Sequence, residues 1–155
     1  MLLRRGLLAG SIVWAVALPL AAFVGSRSDM ASAGYAFAIS IYAAGHFVCH
    51  QIAARSFQLW GAALPVCARC TGIYVGAAAV ALGTTVVPGA IRGARVPVDP
   101  VFTRRLLIAA AVPTAVTLVY EWTTGVTPGN VIRGLAGLPI GAAVMWLVAT
   151  VDLER

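Results

Sequence analysis

The chain has 155 residues, of which 61% are hydrophobic and only 10% charged, where a soluble domain carries roughly 25% charged residues. That balance excludes a water-soluble globular domain and points to a single domain dissolved in a bilayer. The net charge of +6 comes entirely from arginines scattered beside apolar runs. They read as membrane-flanking charge rather than as a nucleic-acid surface.

A helix needs about 20 apolar residues to cross the hydrocarbon layer. Residues 7–25 qualify and carry no charge. The basic start before them resembles a signal peptide, but the apolar stretch is too long and lacks a small-x-small cleavage site, so it reads as an uncleaved helix. Residues 31–48 form the second candidate span, with His46 near its end, and residues 72–87 the third. Residues 106–122 enclose Pro113, and residues 131–151 enclose Arg133 and Pro139. Membrane helices tolerate such prolines because neighbouring groups re-satisfy the freed carbonyl. The expectation is an all-α, polytopic integral membrane protein with five transmembrane helices, forming one domain over residues 1–155.

The connections differ in character. Residues 25–30 make a short polar turn. Residues 49–71 form a long loop that holds all three cysteines. Its apolar middle, residues 57–66, is too short to span and suits an interfacial or re-entrant piece anchored by Trp60. Residues 88–105 are rich in Gly, Pro and Arg, and residues 123–130 form a tight turn. Five spans would put the amino end beside the cysteine loop, with Arg4, Arg5, Arg55, Arg69 and Arg133 on one side and the other six arginines opposite. That division sets no orientation. A dominant first helix favours a cytoplasmic amino end, and the arginines of residues 88–105 argue the reverse. Gly72 with Gly76, and Gly137 with Gly141, have the spacing that lets helix backbones approach. They suit packing within the chain or a homo-oligomer contact.

The segment from Cys49 to Gly72 concentrates the chemistry. It contains every cysteine and His50, with His46 just before it. Zinc takes four tetrahedral ligands from Cys and His, and a Cys-x-x-Cys turn supplies two thiolates. Cys67 and Cys70 make that pair, Cys49 is the third ligand, and His50 or His46 the fourth. The competing chemistry is thiol–disulfide exchange at Cys67 and Cys70, because a helix start and the neighbouring Arg69 lower thiol pKa values. Free buried cysteines with no role are the bland alternative.

Cys-His-Gln, then Arg-Ser-Phe, then Pro-Val-Cys-Ala-Arg-Cys-Thr-Gly-Ile-Tyr-x-Gly resembles the hallmark of a prokaryotic membrane-protein family, domain of unknown function 2085. A looser likeness continues through Asn130, Arg133 and Gly134. The resemblance implies a multi-pass protein of a prokaryotic cell membrane, and it directs attention to Cys49, His50, Arg55, Cys67, Arg69, Cys70 and Tyr74. His46 lies outside the pattern, which favours His50 as the fourth ligand. Family members often carry a proline and an acid after the Gln, and this chain has Ile52-Ala53-Ala54 there.

A second polar group lies at the turn between the last two spans. Glu121, Asn130 and Arg133 are close enough in sequence to converge, and a Glu121–Arg133 pair is the structural reading. Arg55, Arg69, Asn130 and Arg133 are also candidate anion-binding residues, since arginine forks match phosphate. That leaves three functional classes: a zinc-stabilised membrane protein, a membrane thiol–disulfide oxidoreductase, and a transporter or enzyme acting on an anionic or phosphorylated lipid.

Overall fold

The computed structural model describes residues 2–29, 31–86 and 99–150. Among them are five helices: α1 (Leu2–Gly25), α2 (Ser32–Val48), α3 (Ala68–Val86), α4 (Pro100–Thr124) and α5 (Asn130–Thr150). Between α2 and α3 lie one 3-10 turn (Ala53–Arg55) and a hairpin of two-residue strands, β1 (Gln58–Leu59) and β2 (Ala62–Ala63). The all-α expectation holds. Local chemistry sets the helix ends. Asp99 caps α4 by accepting the Val101 N–H at 3.0 Å, with Pro100 at the first helical position. Gly125 ends that helix in the left-handed region, with φ 70°.

Three helices, α1, α4 and α5, are long and apolar enough to cross a membrane. The expected count of five spans is not supported. α2 has 17 residues, about 25 Å of helix, and both of its ends are held at the same end of the bundle. Near its start, the Tyr35 hydroxyl donates to the Arg27 carbonyl at the end of α1. Towards its other end, the Tyr42 hydroxyl donates to the carbonyl of Ala63, and Gly45 abuts the carbonyl of Pro65. α2 therefore does not run the length of the bundle. An apolar run reports contact with lipid, not the direction in which a helix travels through it.

α3 and α5 form the centre of the bundle and run parallel. A Cβ on Gly72 would overlap the Gly134 carbonyl, and one on Gly76 the Leu138 carbonyl. In the reverse sense, Gly137 lies on the Arg69 carbonyl and Gly141 on that of Ile73. Only glycine permits this approach on both helices. Both glycine pairs are thus occupied within one chain.

α1 runs antiparallel to α3. Leu8 packs with Ala81, Met145 and Ala149, where α3 and α5 finish. Further along, Trp14 meets Tyr74 edge-on at 5.9 Å, and Phe23 meets Trp60 at 5.2 Å. α4 returns beside α5, with the Thr114 hydroxyl donating to the Ala136 carbonyl at 2.8 Å. The start of α1 therefore lies at the opposite end of the bundle from the cysteine loop. The five-span expectation had put the two together.

Candidate metal centre

α3 begins at Ala68, earlier than the span expected from residue 72. Cys67 thus sits at the helix cap, and its carbonyl accepts the first helical bond from the Thr71 N–H at 2.9 Å. Cys70 falls in the first turn. Cys49 arrives from the other side, where α2 ends at Val48 and the backbone turns extended, with φ −150° and ψ 142°. Its Sγ accepts the Cys67 backbone N–H at 3.1 Å. The three Sγ atoms all lie within 4.8 Å of one another, and all three cysteines are half-buried and free of disulfides.

Of the four expected ligands the structure brings together Cys49, Cys67 and Cys70. His50 is exposed and is not part of the group. Successive side chains of an extended segment point to opposite sides, so turning Cys49 inward turns His50 outward. His46 is exposed as well and lines a groove of about 620 Å³ with Tyr35, Ile39, Tyr42 and Gln51.

The Cys67 thiol is pulled down to about 5. The hydrogen bond from the Cys70 thiol is the largest cause, and the backbone N–H groups of Cys70 and Arg69 add to it against the opposing cost of burial. This is the arrangement of an N-cap side chain, with sulfur in place of oxygen. Arg69 contributes through its backbone. Its guanidinium turns away and donates from Nη2 to Thr117 Oγ1 at 3.1 Å.

Gln51 holds the two halves of the site in register. Its backbone sits in the left-handed region at φ 48°, uncommon for a residue with a Cβ. Its side-chain amide donates to the carbonyls of Tyr42 at 2.6 Å and Pro65 at 2.7 Å. One side chain thus ties the end of α2, beside Cys49, to the segment that leads into Cys67. Gln51 is not among the expected site residues, and its place in the Cys-His-Gln triplet was the signal that pointed to it.

The Arg55-Ser56-Phe57 segment docks the loop on α4 and α5. Arg55 Nη2 lies 2.5 Å from Glu121 Oε1, and Arg133 Nη2 lies 3.6 Å from Glu121 Oε2. The expected Glu121–Arg133 pair is present, joined by Arg55. Asn130 Nδ2 donates to the buried Ser56 carbonyl at 2.9 Å, and Phe57 fills the space beside Gly134. Arg133 is 2% exposed, and its Nε and Nη1 lack hydrogen-bond partners, as does Arg69 Nε. Of the four candidate anion-binding residues, Arg55 and Asn130 are engaged within the protein, and Arg69 and Arg133 keep unpartnered donors.

The family model described as a predicted membrane protein, DUF2085, matches residues 49–147. An uncharacterized protein of Methanothermobacter thermautotrophicus is 33% identical over 101 residues, covering 64% of this chain and 84% of that protein. The uncharacterized protein MJ1492 of Methanocaldococcus jannaschii is 30% identical over 118 residues, covering 75% of this chain and 70% of that protein. No solved structure matches.

Proposed function

Because the chain belongs to the DUF2085 family of predicted membrane proteins, with the match opening at Cys49, we propose that it is a multi-pass protein of a prokaryotic cell membrane that holds a thiolate-bound metal ion, zinc, at one end of its helix bundle. One observation carries the reading: three thiols from two separate segments converge within 4.8 Å. Zinc–thiolate bonds of about 2.3 Å in a tetrahedron set sulfur atoms roughly 3.8 Å apart, so these thiols would close on an ion with small side-chain adjustments. The ion would cross-link the end of α2 to the start of α3. Three thiolates leave one tetrahedral position for water, an outside ligand or His50 after a turn of its backbone. Elemental analysis of the purified protein tests this. One equivalent of zinc, lost in Cys70→Ser, supports the proposal. Metal-free protein with reversibly oxidised thiols overturns it.

A second reading, thiol–disulfide exchange at Cys67 and Cys70, is favoured by the low pKa of Cys67 at a helix start. Its signature is a reversible Cys67–Cys70 disulfide in redox buffer.

A further inference from the structure

We propose that the cysteine site faces away from the cytoplasm, in a topology of four crossings with α2 lying along that same outer surface. This stands whether or not the thiols hold a metal. α1, α3, α4 and α5 alternate in direction. α3 is not among the three helices apolar enough to span by composition, but its 19 residues make about 28 Å, near the thickness of the hydrocarbon core, and it packs along α5 through Gly72, Gly76, Gly137 and Gly141. α2 adds no crossing, because its ends are tied to Arg27 and Pro65 at the same end of the bundle.

This count redistributes the arginines. Arg4 and Arg5 open α1, and Arg104 and Arg105 stand in the first turns of α4. All four lie at the end opposite the thiols, and three of them are exposed. The segment joining α3 to α4 adds Arg92 and Arg95 in sequence. At the thiol end, Arg133 is buried, Arg55 is ion-paired with Glu121 and Arg69 is bonded to Thr117. Arg27 is the exposed arginine there, stacked over Phe23 at 4.8 Å. Arginine on membrane-flanking segments is retained on the cytoplasmic side. With Arg155 after α5 included, the near-tie of the five-span count becomes seven arginines against four, and three of those four are engaged by partners within the protein. Trp60 and Trp122, both largely exposed at the thiol end, place a membrane–water interface at that end, since tryptophan collects at both interfaces.

The test introduces Ser28→Cys at the thiol end and Val101→Cys at the other, each in the otherwise native full chain. Intact cells are treated with a membrane-impermeant maleimide, and modification is mapped by peptide mass spectrometry, so native thiols do not confuse the reading. We expect position 28 to be modified in intact cells and position 101 only after permeabilisation. The reverse pattern overturns the orientation. Modification of both in intact cells, or of neither there but of both after permeabilisation, overturns the four-crossing count. If neither position reacts after permeabilisation, a fluorescent-protein fusion after Arg155 decides. Fluorescence there supports a cytoplasmic carboxyl end, and its absence beside an active alkaline phosphatase fusion overturns the proposal.

Discussion

The Sγ of Cys49 accepts the backbone N–H of Cys67 at 3.1 Å, which couples the end of one helix to the cap of another through a sulfur atom. If that sulfur is also a metal ligand, each of Cys49→Ser, Cys67→Ser and Cys70→Ser should reduce bound zinc to background. His50→Ala should keep most of it, because His50 is exposed and outside the thiol group. Zinc per chain, measured on protein purified under one protocol, separates these outcomes.

Cys67 and Cys70 should differ in reactivity once metal is stripped. With its pKa near 5, Cys67 stays a thiolate through neutral pH and loses reactivity only as pH falls through about 5. An ordinary thiol near 8.5 would already have lost most of its reactivity at pH 7. The rate of iodoacetamide alkylation at each cysteine, followed by peptide mapping between pH 4 and 9, checks this. The sign for stability follows. A thiol whose folded pKa is depressed contributes stability that is fully present above its unfolded pKa. That contribution fades as pH drops and is gone below the folded value.

Gln51 combines a left-handed backbone with two amide hydrogen bonds. Gln51→Gly should relieve the backbone while losing the bonds, and Gln51→Ala should lose the bonds and keep the strain. Net hydrogen bonds contribute about 0.5–1.5 kcal/mol each, so Ala should be the more destabilising change. Both should weaken zinc retention against a chelator, since Cys49 and Cys67 would no longer be held in register.

Gly141→Ala should destabilise the fold by about 1–3 kcal/mol through overpacking, because its Cβ would overlap the carbonyl of Ile73. Gly83→Ala meets nothing within 4 Å and should be neutral or slightly stabilising. Thermal unfolding in detergent distinguishes the pair. A mild Gly141→Ala would mean that α3 and α5 do not cross this closely.

Glu121→Gln should cost about 3–5 kcal/mol by leaving Arg133 buried without its counter-ion. Arg133→Met should be tolerated better, because Glu121 would keep Arg55. Denaturation of the two variants against the parent protein tests the order. Equal effects would mean that Arg55 alone does not satisfy Glu121 once Arg133 is gone.

The membrane setting was legible because lipid contact demands long uncharged runs, and α1, α4 and α5 supplied them. α2 was not, because an apolar stretch such as 32–48 reads alike whether it crosses the bilayer or lies at its surface. The thiol cluster was legible in the Cys-x-x-Cys spacing plus Cys49. The place of His50 was not, because it depends on the backbone turning extended after Val48. The Glu121–Arg133 pair followed from a short turn, and Arg55 joined it only through folding of the intervening chain.

The Asn130–Ser56 hydrogen bond joins residues 74 positions apart, and Phe57 rests beside Gly134. In a chain made from its amino end, the cysteine loop emerges well before the helix it docks on. The loop therefore waits, undocked, through synthesis and insertion of α4. Docking of the loop through Ser56 and Phe57 must await α5, whereas Cys49, Cys67 and Cys70 all precede α4 and can meet before it is made.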